Sequence, residues 1–189
     1  MANVTRHPQL LRRDQTGLVV VDVQEGFRPV IDGFEDMTRN VGILAEGFGL
    51  LDRPVLISEQ YPKGLGHTVA EVEDRLPAFT DRVEKMRFSA CGVESFERAL
   101  KRARCTSWVV CGIETHVCVN QTVLDLLERG FEVHVAEDAV SSRTATNRRI
   151  GLEKMLGAGA RATSAEMALF EMLEQAGGDE FKAISKLVR

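Results

Sequence analysis

The chain has 189 residues, 44% of them apolar, and a formal net charge of −4 at pH 7. That size suffices to bury a substantial core, so one domain spanning residues 1–189 is expected. Acidic and basic residues are interspersed, which excludes the contiguous basic field that nucleic acid or an anionic membrane needs, and no segment approaches the roughly 18 continuous apolar residues of a membrane span.

The opening segment, MANVTRHPQLLRRDQTG, is polar and lacks the apolar core of a secretory signal. The first apolar run, Gly17–Val23 (GLVVVDV), reads as a strand. Val41, Leu44, Ala45 and Phe48 then recur at helical spacing, followed by a second strand at Pro54–Ser58. Glu59–Thr80 (EQYPKGLGHTVAEVEDRLPAFT) is irregular and rich in Gly and Pro, and loops of that length in a compact domain are often functional. A third strand is predicted at Val83–Arg87, then a helix stripe of Val93, Phe96, Leu100 and Ala103. The fourth strand is Ser107–Ile113 (SWVVCGI), and Val119, Val123, Leu124 and Leu127 mark the next helix, with Gly130 as its stop. Strands at Phe131–Ala136 and Ala160–Thr163 complete six. Thr163 with Glu166 reads as a capping box for a late helix carrying Ala168, Leu169 and Met172.

This alternation predicts an α/β fold: three layers, α/β/α, with a six-stranded, mostly parallel sheet and helices on both faces. Ligands of such sheets sit at the carboxyl ends of the strands, here around Asp22, Glu59, Arg87 and the segment after Ile113. Four cysteines, Cys91, Cys105, Cys111 and Cys118, show no CxxC pair and no disulfide-dense spacing, which suits reduced thiols in the cytoplasm. A small-molecule substrate is the expected partner.

Three polar residues lie at that carboxyl edge: Asp22 in VVVDVQ, Lys85 in VEKMRFSA and Cys118 in CGIETHVCVNQT. A lone cysteine is more often structural. Cys118, however, follows a strand end and falls at a helix start, where free N–H groups and the helix dipole stabilise a thiolate. An Asp nearby could take the thiol proton and return it to a leaving amine, while a Lys cation would keep that Asp ionised. His116 and His134 compete as the base. His134 lies mid-strand and reads as a core residue, and His116 as cavity lining.

The set VVVDVQ, KMRFSA, GIETHVCVNQTVLDLLERG and EDAVSSR resembles the isochorismatase-like cysteine hydrolases, a family that includes nicotinamidases and carbamoylsarcosine amidase. The resemblance runs from about residue 15 to 175. It implies Asp22 as general acid/base, Lys85 as its electrostatic partner and Cys118 as nucleophile. It also implies a cis peptide between Ile113 and Glu114, an oxyanion hole from the N–H groups of Glu114 and Cys118, and a homo-oligomer. Leu169, Phe170 and Met172 offer apolar surface for that assembly. Retention of the cysteine favours C–N bond hydrolysis over the vinyl-ether chemistry of isochorismatase proper. A non-catalytic interaction protein that keeps the fold is the rival reading, and a redox thiol protein lacks an obvious resolving cysteine, since Cys111 falls inside a strand.

Nicotinamidases of the family carry an Asp-x-His-x5-His metal pattern. The corresponding residues here are Glu59, Tyr61 and His67, and a phenol is a poor ligand for zinc at neutral pH, so no metal and no cofactor are expected. Gln24, Phe27, Glu59, Tyr61, Phe88, Thr115 and His116 are the candidate substrate-binding residues, with Gln24 or Thr115 placed to orient an amide.

Overall fold

Runs of β-branched residues bury both faces when they become central parallel strands. In the computed structural model, which describes residues 6–189, that is the fate of β1 (Thr16–Val21) and β4 (Ser107–Ile113), every residue of which is buried. They pair with each other at the middle of the sheet, Val19 beside Val110. With β2 (Val55–Gln60), β3 (Asp81–Lys85), β5 (Glu132–Ser141) and β6 (Arg161–Thr163) they form one parallel sheet in the order β3-β2-β1-β4-β5-β6. The chain winds outward from β1 to β3, returns to the centre and winds outward again from β4 to β6. The topological switch point therefore lies between the carboxyl ends of β1 and β4, where Asp22 and the segment after Ile113 emerge.

Two apolar clusters cover the two faces. One packs α1 (Phe34–Leu50), α7 (Ala165–Leu173) and α8 (Gly178–Leu187) on Leu18, Val20 and Ile57. The other packs α4 (Glu94–Ala103), α5 (Asn120–Glu128) and α6 (Ala145–Gly157) on Val19, Val21, Leu56 and Trp108. The predicted α/β/α layering and the six strands are as expected.

Several boundaries differ from the sequence reading. The third strand starts and ends two residues early, because the Lys85 carbonyl accepts from the Tyr61 N–H and the chain then departs as an exposed strap. The buried stripe of the helix after β4 is Val119, Thr122, Val123 and Leu126, and Leu124 and Leu127 are half-buried at its flank. Ser164 caps the late helix, its hydroxyl accepting from the Met167 N–H, in place of the proposed Thr163. The loop Glu59–Thr80 holds two one-turn helices, α2 (Pro62–Leu65) and α3 (Ala70–Glu73), and neither α6 nor α8 was read from the sequence.

Candidate active site

Asp22 directly follows β1 and has a left-handed backbone, φ +52°, which turns its carboxylate off the strand axis. Its N–H donates to the Ser58 carbonyl at 3.0 Å, continuing the β1–β2 ladder by one bond. The Lys85 Nζ donates to Asp22 Oδ2 at 2.6 Å and the Ser58 hydroxyl to Oδ1 at 2.7 Å. All three side chains are buried. Lys85 reaches Asp22 because β3 pairs with β2 so that Lys85 stands beside Gln60, whose Oε1 also accepts from Nζ at 2.8 Å. The carbonyl of Arg87 is a third acceptor at 3.2 Å. A buried ammonium thus has three acceptors, which offsets its desolvation. Burial pushes the Asp22 carboxyl above the usual carboxylate range, and Lys85, Ser58 and the Cys118 thiol act against that rise.

Cys118 lies in a π-helical turn, Thr115–Val119, that joins β4 to α5. Such turns occur mostly as single interruptions and frequently at functional sites. The turn is held tightly. The Ile113–Glu114 peptide is cis, and the N–H groups of Val117 and Val119 both donate to the Glu114 carbonyl at 3.0 and 3.2 Å. Gly112 precedes it with φ +111°, and a Cβ there would stand 2.1 Å from the Val21 carbonyl oxygen, so only glycine lets β4 pass β1 at this point. From α6, Gly151 packs so closely that a Cβ would meet the His116 Cα at 2.9 Å. The Glu114 carboxylate is buried and takes the Arg143 guanidinium at 3.0 Å. Burial and the adjacent Asp22 charge push the Cys118 thiol up to about 12, with Lys85 opposing. This corrects the expectation of a thiolate stabilised by a helix start: α5 begins only at Asn120, and the N–H groups of Val117 and Val119 are already paired. Burial and the neighbouring Asp22 carboxylate thus favour the protonated form of the sulfur.

The flanking residues divide. Gln24 is committed to the backbone: its Nε2 donates to the carbonyls of Gln60 and Gly66 at 3.0 and 2.6 Å, and its Oε1 accepts from the Gln60 N–H at 2.7 Å. The Thr115 hydroxyl is likewise spent on the Ser141 carbonyl at 2.9 Å. Gln24 thus has both ends of its amide engaged, and the fully buried Thr115 hydroxyl has its one proton committed. Glu59 alternates with Ser58 and Gln60 on β2 and so points to the opposite face of the sheet. Phe27 is half-buried against the cluster under α1. His116 places Nδ1 at 3.1 Å from the Ser142 hydroxyl. Tyr61 and Phe88 are 48% and 54% exposed, and Met86 between them is 70% exposed. His134 is buried in β5 and its pKa falls to about 4, first through burial. A cavity of about 480 Å³ lies between the strap Met86–Gly92 and the outer face of α5, and neither Asp22 nor Cys118 lines it. Ser58, Gln60 and Arg143 were not singled out from the sequence, although Ser58 and Gln60 are polar residues at the carboxyl end of an apolar strand.

Residues 16–167 match the family model described as the isochorismatase domain. The chain belongs to the isochorismatase family. It is 43% identical over 176 residues to the secreted isochorismatase effector Isc1 of Phytophthora sojae, covering 91% of this chain and 83% of that protein. To isochorismatase domain-containing protein 1 of Salmo salar it is 39% identical over 168 residues, covering 89% of this chain but 59% of that protein's length. Among solved structures, the one titled as the MAR1 ribonuclease of Caenorhabditis elegans superposes with a TM-score of 0.90 at 38% identity, covering 94% of this chain and 91% of that one. The isochorismatase-family hydrolase fold and the family resemblance read from the motifs are therefore established. Among the described residues no helix is long and apolar enough to cross a membrane.

In this isochorismatase domain the three residues compared with the nicotinamidase metal pattern do not fit a cation. Glu59 Oε1 accepts from Arg82 at 2.9 Å and from the Thr68 N–H and hydroxyl at 2.8 and 2.7 Å, and its Oε2 lies 3.1 Å from His67 Nδ1. Burial works against its charge, yet Thr68, His67 and Arg82 together hold the Glu59 carboxyl below its ordinary range. The Arg82 guanidinium already engages the Glu59 carboxylate, and Tyr61 is an exposed residue at the start of α2.

Proposed function

We propose that this chain is a cysteine-dependent hydrolase that cleaves the C–N bond of a small amide through a thioester. The observation that carries the reading is the buried Asp22–Lys85 pair, 2.6 Å apart, with the Cys118 thiol beside the carboxylate. Such a pair costs several kcal/mol of desolvation, and proton transfer at a nucleophile is a use for it.

In the first step the Cys118 sulfur attacks the carbonyl carbon while its proton passes to Asp22, and the carbonyl π electrons move onto oxygen. The N–H groups of Glu114 and Cys118 receive that oxyanion. Collapse re-forms the carbonyl and breaks the C–N bond, and the departing nitrogen takes the proton from Asp22. Water then attacks the thioester, giving a proton to Asp22. The second collapse releases the carboxylic acid, and Asp22 returns the proton to the sulfur. Lys85 keeps Asp22 anionic between steps. In this reading Tyr61, Phe88 and His116 flank the approach, whereas Phe27 packs against the cluster on the other face of the sheet, and the reaction needs no cofactor. The single domain, the reducing cytoplasmic setting and a homo-oligomeric state belong to the same reading.

The test is ammonia release over a panel of small amides, ureas and carbamates. Turnover is expected for at least one compound and is abolished in Cys118→Ala, which removes one thiol and leaves the fold intact. A variant retaining more than about a hundredth of the parent rate overturns nucleophilic catalysis by Cys118. RNA belongs in the same panel because the nematode neighbour is named a ribonuclease. No RNA cleavage is expected from a chain of net charge −4 with interspersed charges.

A further inference from the structure

Lys85 carries three N–H donors and no acceptor, and in this fold each donor meets one acceptor: Asp22 Oδ2 at 2.6 Å, Gln60 Oε1 at 2.8 Å and the Arg87 carbonyl at 3.2 Å. Of these three only Asp22 brings charge. The Gln60 side chain is itself fixed at both ends, because its Nε2 donates to the Met86 carbonyl at 2.9 Å while its Oε1 takes the ammonium. A lysine can only donate and a carbonyl can only accept, so these partners set which end of the amide faces which.

The backbone of Gln60 is no freer. Its N–H donates to Gln24 Oε1 at 2.7 Å, its carbonyl accepts from Gln24 Nε2 at 3.0 Å, and β3 stands beside it in register, Gln60 against Lys85. The first two carbonyls after Lys85, those of Met86 and Arg87, are held by Gln60 and by Lys85 itself, which ties the start of the strap to the ammonium. A carboxylate in place of this amide would confront the Met86 carbonyl with another acceptor and put a second anion on the cation. The titratable and charged groups around the amide are Asp22 after β1, Lys85 of β3 and, beyond Asp22, the Cys118 thiol. Tyr61, Lys63 and Glu84 border Lys85 from the exposed side of α2 and β3, and Arg87 follows in the strap.

We propose that Gln60 is a positioning residue for the Asp22–Lys85 pair: its fixed, neutral amide oxygen holds the ammonium where Asp22 meets it and leaves Asp22 as the one anion that the cation serves. This rests on the hydrolase reading above and adds the residue that orients its cation. Gln60 touches no reacting atom in that mechanism and acts through Lys85. Removing its oxygen leaves a buried N–H of the ammonium without an acceptor, and replacing the amide with a carboxylate divides the cation between two anions. Either change weakens the support that Lys85 gives to negative charge on Asp22 and on Cys118.

The experiment compares the parent with Gln60→Glu, Gln60→Met and Gln175→Glu, the last adding the same charge just past α7, in the layer opposite Cys118. Each protein is treated with iodoacetamide at pH 9, and alkylation of Cys118 is located by fragmentation of its peptide in the mass spectrometer. Cys111, buried in β4, reports any opening of the fold in the same sample. Alkylation of Cys118 is expected to slow about tenfold in Gln60→Glu, the effect of raising the thiol pKa by about one unit, and about threefold in Gln60→Met, with Gln175→Glu at the parent rate. Where the parent turns over an amide, the acid limb of kcat/KM should move to higher pH in Gln60→Glu, with kcat falling and KM held within about twofold. Should one variant open, as a rise at Cys111 would show, the other decides. A parent alkylation rate in a folded Gln60 variant, or a slowing matched by Gln175→Glu, overturns the proposal. So does a loss of stability to urea with no change at Cys118, the result of a Gln60 that only fastens the strap. If the alkylation rates shift but the parent hydrolyses none of the panel compounds, the hydrolase reading fails and the positioning of Lys85 stands. Turnover with an unmoved limb and unmoved alkylation leaves the hydrolase reading and removes Gln60 from it.

Discussion

Asp22 is fully buried and accepts from Ser58 and Lys85, so its proton affinity is set by two opposing effects. Burial disfavours the anion, while the neighbouring cation and donors favour it. The titratable groups facing it are Lys85 from β3 and Cys118 from the turn after β4. Lys85→Met removes the cation and leaves burial unopposed, so the carboxyl must bind its proton more tightly. The acid limb of kcat/KM against pH should then move to higher pH and the neutral-pH rate fall by about 100-fold or more. An unmoved limb would show that Lys85 does not act through Asp22. Ser58→Ala should move the limb the same way but less. His134 sits in β5 with its pKa lowered to about 4 from 6.5, mainly by burial. The unfolded chain therefore binds a proton that the folded chain refuses between those values. Stability is full above about 6.5 and lost as pH falls toward 4, by on the order of 3 kcal/mol. Urea unfolding at pH 7 and pH 4.5 should show a smaller drop in His134→Gln than in the parent, because that variant lacks the titrating ring.

At the level of elements, the turn after β4 depends on two glycines. Gly112→Ala forces a Cβ against the Val21 carbonyl at a positive φ, and a loss of about 3 kcal/mol or more is expected in denaturant unfolding. Gly151→Ala presses α6 on the His116 backbone, 2.9 Å away, and should lower kcat more than it lowers stability, since the displaced atoms belong to the turn that holds Cys118. A variant with normal kcat would mean that the turn tolerates the shift. The loop after β2 makes a second prediction. Because Arg82 neutralises Glu59, dialysis against EDTA should leave activity unchanged, and elemental analysis of untagged protein should show well below one metal per chain. A large loss restored by zinc or manganese would overturn that.

For the whole molecule, the expected assembly needs a different surface from the one first assigned. Leu169 and Met172 are buried against α1 and the sheet within the chain, and Phe170 stacks edge-on with Phe181 of α8 at 6.1 Å. The helix α8, absent from the sequence reading, covers Phe170, and α1 covers Leu169. Exposed apolar side chains instead gather at Tyr61, Met86 and Phe88 beside the strap. A homo-oligomer that covers this surface is expected. Light scattering should give at least a dimer at micromolar concentration, and Met86→Lys should shift it toward monomer. A parent that is already monomeric would count against it.

The local order of this chain settled most of its architecture. Runs such as GLVVV and SWVVCGI are buried on both sides, which requires central parallel strands, and the stripes Val41–Phe48 and Val93–Ala103 declared their helices by period. Asp22, Lys85 and Cys118 stood out because a polar residue at the end of an apolar strand has no packing role to explain it. What no local pattern contained was the pairing across strands. Ser58 and Gln60 become partners of Asp22 and Lys85 only through the registers β1–β2 and β2–β3, and Gln24 is drawn to the Gln60 and Gly66 backbone by a loop forty residues on. The state of the Cys118 thiol followed the same rule. Its position near a helix start argued for a thiolate, but the burial and the Asp22 charge that raise its pKa come from segments distant in sequence. Desolvation and register depend on how every element packs, and so they were decided by the tertiary structure alone.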